Sequence, residues 1–400
     1  QAGEPDYSNP LVPEASRLPI DPSTDMPSEF TEAQRGVPGG FVGDADVLDT
    51  WATSSLTPQI AGRWLDDPSM FNNVFPMDVR PQGHDIIRTW LFATTVRSHF
   101  EHNVAPWRNA ALSGWILDPD RKKMSKSKGN VVTPSDMLEE HGSDAVRYWA
   151  ASARLGTDAA FDTGQMKIGR RLAIKLLNAA KFALSFEVPA GHTEVTEAID
   201  QAMLLSLADV VRDATRAFEN YDHTKSLELT EKFFWNFTDD YLELVKERAY
   251  GQADASPAAQ ASAAIALRQA LHTLLRLFAP FLPFATEEIW GWWQTEAGSI
   301  HRATWPTVEE LTDGLDASNH GLLELAATAL VGIRKAKSDA KASMKADVLT
   351  ATLQAPAAVL TSIRVFERDL KGVGRIEDLA YAEAEDVAVV DVVLKPVEEA

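Results

Sequence analysis

The 400 residues carry 38 basic against 58 acidic side chains, a net charge of −20, and 45% are hydrophobic. That is enough apolar material for about two to four domains, and it rules out wholesale disorder. The absence of cysteine excludes disulfides, thiolate zinc sites and a cysteine nucleophile, and fits a reducing compartment. With this charge, a polyanion is met only through a local basic patch.

Residues 1–44 hold Pro5, Pro10, Pro13, Pro19, Pro22, Pro27 and Pro38 and the pair Gly39-Gly40, with no helical or alternating period, and read as an extended connector. They lack the basic start and apolar core of a signal peptide, and the chain begins at Gln1, so a fragment of a longer protein is expected. Residues 45–161 mix short apolar runs with helix-like pieces at Ile86–Val96 and Pro134–Ala151, an α/β pattern. From 162 to 323 the period is helical. Apolar residues recur at steps of three and four: Ile168, Leu172, Leu176; Leu207, Val211, Ala214, Phe218; Phe234, Phe237, Tyr241, Leu244; Leu267, Leu271, Leu274, Phe278. This predicts an antiparallel bundle of about four or five helices, with Pro283 opening a short further helix through Trp293. The most apolar stretch, Ala261 to Trp293, is broken by Arg268, His272, Arg276, Pro280 and Pro283, so no membrane span is expected. Residues 324–400 predict a small α/β appendage. It starts with a basic helix (Arg334, Lys335, Lys337, Lys341, Lys345), followed by an alternating strand at Val348–Leu353, a helical period at Ala357–Leu370 and a β-branched strand at Val387–Leu394.

The chemistry concentrates in Arg121-Lys-Lys-Met-Ser-Lys-Ser-Lys-Gly-Asn130, which follows the turn Asp118-Pro119-Asp120. Paired ammonium groups, two hydroxyls and a glycine suit a triphosphate, because cations oppose developing charge while hydroxyl and backbone N–H groups hold the oxygens. A solvated charge run is the alternative for an arbitrary lysine-rich loop. The pentamer Lys123-Met124-Ser125-Lys126-Ser127 has a chance occurrence on the order of 1 in 10,000 in a chain of this length. It matches the KMSKS signature of class I aminoacyl-tRNA synthetases.

The text around it resembles the valyl-tRNA synthetases. Asp46-Val-Leu-Asp-Thr-Trp-Ala-Thr-Ser-Ser55 is similar to their D-T-W-[FA]-[ST]-S segment, where isoleucyl enzymes show a D-V-W-F-D-S-G form. Arg80-Pro-Gln-Gly-His-Asp-Ile-Ile-Arg-Thr-Trp-Leu-Phe92 is similar to the G-x-D-x-x-R-x-W segment. Lys128 to Pro134, Gly142 to Tyr148, Gly169-Arg170, Asn178 to Phe182 and Trp235 to Lys246 continue the likeness. Arg121 departs from it, where many relatives carry glycine. The family also needs an H-x-G-H motif, which this sequence lacks. The resemblance therefore implies a carboxyl-terminal half. Its parts would be the second half of a Rossmann-type catalytic domain, an antiparallel helical-bundle anticodon-binding domain and a small C-terminal α/β appendage, with residues 1–44 returning from an editing insert that is absent.

The resemblance implies further roles. Lys123 and Lys126 contact the phosphates of ATP as pyrophosphate departs, while Met124, Ser125 and Ser127 close the loop over the nucleotide. Gly83, His84 and Asp85 hold the adenylate ribose. An aspartate before an apolar helix is otherwise an N-cap, and His84 is equally a packing residue. Trp51 and Trp90 wall a valine-sized cavity, although tryptophan is commonly core. Shape alone does not reject threonine, so editing is expected upstream. Lys232, Lys246, Arg248, Arg334 and Lys335 are candidates for tRNA phosphates, or else solvated helix faces. Trp290, Trp292 and Trp293 read as packing, and His99 and His102 as surface residues. No structural metal is expected, and Mg²⁺ enters with ATP. The implied partners are valine, ATP and tRNA(Val), in a cytoplasmic, monomeric parent enzyme. By itself the chain is expected to be inactive in amino-acid activation. An isoleucyl-type fragment, a tRNA-binding helical module without catalysis and a scaffold with an accidental loop are the alternatives.

Overall fold

The computed structural model describes residues 4–44, 50–252 and 255–396, without the side chain of Lys126. It divides into two compact units, Gln1–Leu112 and Ser113–Ala400, a boundary inside the stretch 45–161 expected to form one domain.

In the first unit, residues 4–44 contain only short turns, as their prolines dictate, yet the segment is not extended. It folds back around Arg35, whose guanidinium donates to the carbonyls of Pro22 (3.1 Å) and Asp25 (2.9 Å) and lies 4.8 Å from the centroid of the buried Phe41 ring. Short helices α1 (Trp51–Ser54) and α2 (Thr57–Ala61) precede α3 (Pro68–Val74). The start of α3 is set by Pro68 and by Asp67, which accepts from the Met70 amide at 3.0 Å. Strand β1 (Met77–Gly83) leads through a tight turn at His84–Ile86 and a wide helical turn at Ile87–Leu91 into α4 (Phe92–His102). Strand β2 (Trp107–Ser113) then hydrogen-bonds to β1. His102 is not a surface residue. Its half-buried ring lies 4.9 Å from Trp64, 4.9 Å from Phe75 and 5.4 Å from Phe71, so aromatic packing claims it, while His99 stays exposed.

In the second unit, β3 (Ile116–Leu117) runs parallel to β4 (Ala159–Ala160). Between them lie the basic loop, α5 (Pro134–His141) and α6 (Ser143–Ala151). The helical run expected over Pro134–Ala151 is thus split at Gly142, whose φ of +86° suits a residue without a side chain.

The bundle consists of α7 (Thr163–Leu184), α8 (Ala198–Glu219), α9 (His223–Asn236), α10 (Leu242–Ala249), α11 (Pro257–Phe278) and the short α12 (Pro283–Gly291). A wide turn at Phe237–Tyr241 joins α9 to α10 without a break. Asp162, Asp222 and Ser256 cap α7, α9 and α11 through their side chains. The apolar stripes read from the sequence meet inside, with Leu172, Leu176, Leu207, Leu267, Leu274 and Phe278 fully buried. Helix α6 is stitched to this bundle. Asp144 accepts from the amides of Phe284 (3.1 Å) and Ala285 (2.8 Å), Arg147 donates to the Pro280 carbonyl at 2.8 Å, and the Tyr148 hydroxyl donates to Glu231 at 2.7 Å. A Cβ on Gly169 would come within 2.6 Å of the Tyr148 Cβ, so only glycine permits this approach of α6 and α7.

The tail places α13 (Glu309–Thr312) and α14 (Leu322–Asp339) before a three-stranded sheet. Its members are β5 (Val348–Ala355), β6 (Ile376–Glu383) and β7 (Ala388–Leu394), with α15 (Ala357–Ile363) and α16 (Glu367–Gly374) between β5 and β6. Strand β5 is central, parallel to β6 and antiparallel to β7. The expected basic helix does not present all its cations outward. Lys337 is buried on α14 and donates to the carbonyls of Gly374 (2.8 Å) and Met344 (3.1 Å). A buried ionic node joins tail and bundle. Arg248 (α10) donates to Asp200 (α8) at 2.7 Å and to Asp369 (α16) at 3.0 Å, and Asp200 also accepts from Tyr241 (2.8 Å) and Ser262 (2.6 Å).

Candidate functional site

The candidates for nucleotide and amino acid lie in both units, the basic loop in the second and the two motif segments in the first. In the second unit the basic loop leaves β3 through Asp118, whose carbonyl accepts from the Arg121 amide at 2.8 Å. The Asp118 carboxylate accepts from the Lys122 amide (2.7 Å) and from Asn130 Nδ2 (2.8 Å), joining the start of the loop to its end. The hydrogen bonds from Asn130 and then Lys122 hold this carboxyl below the usual aspartate range. Asn130 also donates to the Lys123 carbonyl (3.2 Å) and accepts from the Ser125 amide (3.0 Å). The loop is therefore a closed ring around one side-chain amide. Within it the Ser125 and Ser127 hydroxyls lie 3.2 Å apart, and the Lys123 Nζ stands 3.6 Å from the centroid of the Trp115 ring, a cation–π distance. Met124 is half-buried and Ser127 exposed. The side chain of Lys126 lies outside the description. Arg121 adopts φ +61°, the left-handed region that favours glycine. Asp118, Asn130 and Trp115 were not singled out from sequence; the Asp-Pro-Asp turn and the Gly-Asn pair were the available signals.

In the first unit, Trp51 opens α1, while residues 46–49 of the same motif lie outside the description. Trp90 is half-buried, and its indole Nε1 donates to the Ser54 carbonyl at 2.7 Å, so the two motif segments meet here. Arg80 covers the Trp90 ring, its Cζ 3.4 Å from the centroid. Gly83 ends β1, and a Cβ there would come 2.8 Å from Asp85 Oδ1, so glycine lets the carboxylate fold over the turn. Asp85 and His84 are exposed. Asp85 lies inside the turn His84–Ile86, and the N-cap positions of this turn and of the next are Gly83 and Ile86, so Asp85 occupies neither.

Of the cations proposed for RNA contact, Arg248 is excluded: it is 1% exposed and held by two carboxylates. Burial works against its charge, but Asp200 and Asp369 more than offset this and raise its pKa. Arg334 pairs with Asp240 at 2.6 Å, and Lys246 with Glu243 at 3.6 Å. Lys232 and Lys335 are exposed. Trp290 is core, whereas Trp292 and Trp293 line a cleft of about 440 Å³ with Lys181, Leu184, Ser185 and Arg268. Among the described residues, no group of three His, Asp or Glu is placed to hold a metal ion, and no helix is long and apolar enough to cross a membrane.

The family model of class I tRNA synthetases (I, L, M and V) matches residues 22–162, and that of the anticodon-binding domain of tRNA ligase matches 200–353. The valine–tRNA ligase of Thermobifida fusca is 59% identical over 99% of this chain, and that of Salinispora arenicola 58% over 96%. The chain belongs to the class I tRNA synthetases, with the valine–tRNA ligases as its relatives. It spans 45–46% of the length of these two ligases. The valine–tRNA ligase of Bifidobacterium longum subsp. infantis is 50% identical over 98% of the chain. Among solved structures, the ternary complex of Agrobacterium radiobacter K84 agnB2 LeuRS-tRNA-LeuAMS superposes with a TM-score of 0.52 at 21% identity, over 69% of this chain and 35% of that one. This likeness supports the class I synthetase fold. As a class I synthetase segment, the chain has its synthetase match ending at residue 162, where Asp162 caps α7.

Proposed function

We propose that this chain is the carboxyl-terminal half of a valine–tRNA ligase and supplies the phosphate-gripping loop, one wall of the amino-acid cavity and the tRNA-binding helices. The observation that carries the reading is the KMSKS loop, closed on itself by Asp118 and Asn130, in a chain 59% identical to a valine–tRNA ligase over 99% of the chain.

In this reading the valine carboxylate attacks the α-phosphorus of ATP, and the bond to the pyrophosphate oxygen breaks. Lys123 and Lys126 stabilise the charge that grows on the leaving group, and Ser125 and Ser127 donate to its oxygens. Mg²⁺ accompanies ATP, held mainly by phosphate oxygens and water. Gly83 and Asp85 receive the ribose, with His84 beside them, and Trp51 and Trp90 bound the isopropyl group of valine. A terminal ribose hydroxyl of tRNA(Val) then attacks the adenylate carbonyl, and AMP leaves. Lys232, Lys335 and the cleft of Lys181, Arg268, Trp292 and Trp293 form the RNA-facing candidates, because cations beside exposed indole suit phosphate and base together. The parent enzyme is read as a cytoplasmic monomer.

The test is Lys123→Ala in the full-length enzyme that contains this segment, assayed by ATP–pyrophosphate exchange. Adenylate formation is expected to slow about 100-fold with the KM for valine within about twofold; an unchanged rate overturns the assignment. Filter binding with anticodon-substituted transcripts tests the helices, and binding indifferent to the valine anticodon counts against them.

A further inference from the structure

Arg80 lies on β1, buried, with Nε and Nη2 shielded from solvent and without hydrogen-bond partners among the described residues. A buried guanidinium left in this state is a net cost to the fold. What it touches is indole: its Cζ stands 3.4 Å from the Trp90 centroid and 5.4 Å from that of Trp107. Trp90 is fixed from other directions as well. Its Nε1 donates to the Ser54 carbonyl at 2.7 Å, and its carbonyl accepts from Thr94 Oγ1 at 2.7 Å. Arg97 Nε donates to the neighbouring Ser55 hydroxyl at 2.8 Å. The ring is thus pinned at its edge and plated on one face.

We infer that Arg80 is a positioning residue for amino-acid selection, its guanidinium backing the Trp90 indole so that the ring stands as a rigid wall against the substrate side chain. The inference rests on the reading of Trp90 as a wall of the cavity. A single methylene in an apolar pocket is worth about 10–200-fold in discrimination, and a wall free to tilt by that much would forfeit it. Cation stacking on one face opposes such tilting without occupying the cavity.

The experiment uses the full-length enzyme and ATP–pyrophosphate exchange with valine and isoleucine. Arg80→Met keeps an unbranched apolar stem and removes the guanidinium with its charge. The expected results are a rise of about tenfold in the KM for valine, a comparable loss of preference over isoleucine, a KM for ATP within about twofold, and a melting temperature unchanged or raised. Arg80→Lys is expected to restore part of the preference, because an ammonium also binds a ring face. An unchanged KM for valine in folded Arg80→Met overturns the inference, as does a fall in melting temperature, loss of folding, or KM values for ATP and valine that rise together. Trp90→Ala separates the two levels. If it leaves valine binding intact, the reading of the cavity fails; if it weakens binding while Arg80→Met is silent, only the backing role fails.

Discussion

Arg80 in the first unit and Arg248 in the second are both buried, at 8% and 1% exposure. All three guanidinium nitrogens of Arg248 are engaged by Asp200, Asp369 or the Ala259 carbonyl. Arg80 has two nitrogens without a partner among the described residues and leans on aromatic rings. A satisfied internal charge ties helices together and is recognised by what breaks when it goes. An unsatisfied one weakens the fold, so its value must lie in what it does to its neighbour. The contrast separates a structural arginine from the one proposed here to act on the site.

The largest effect expected from this contrast is at Asp200, which is fully buried. Asp200→Ala leaves Arg248 with one of its two carboxylates and takes the acceptor from the Tyr241 and Ser262 hydroxyls, and should lower the unfolding free energy by about 3–5 kcal/mol in urea titration; a loss below about 1 kcal/mol would erase the distinction between the two arginines. The counterpart is Arg80→Met, for which calorimetry should find no loss of stability while substrate selection suffers. The third test concerns His272, whose ring stacks 5.0 Å from Trp290. Burial, and then Arg276, hold its pKa below the usual value. The folded ring therefore stays neutral while the unfolded one takes a proton as pH falls below about 6.5. The stability it confers is full above that pH and is lost on acidification toward the depressed folded value. His272→Phe should flatten the fall in melting temperature between about pH 7.5 and about pH 5.5. The smallest effect is at Arg121: Arg121→Gly relieves the left-handed backbone and should gain up to about 1 kcal/mol by thermal melting.

The helical bundle was legible because its stripes repeat at the helical period, and Leu172, Leu207 and Leu267 are buried as that period requires. The KMSKS loop was legible as a string. Its clamp was not, because Asp118 and Asn130 carry no periodic signal and meet only through the folded turn. Strand β6 escaped because Glu377 and Asp378 interrupt the apolar alternation at a sheet edge. Arg248 read as a surface cation because its partners lie 48 and 121 residues away, and nothing local announces them. Arg80 read as part of a motif, and its stacking on Trp90 is visible only in three dimensions.

The stitches from Asp144, Arg147 and Tyr148 into the bundle bear on how such enzymes can be recombined. A chimera grafting a foreign bundle at residue 162 would cut each of them and leave the Asp144 carboxylate without the amides of α12. A transplant that carries residues 143–161 along with the bundle keeps every one of these bonds, so the workable seam for domain exchange lies upstream of α6.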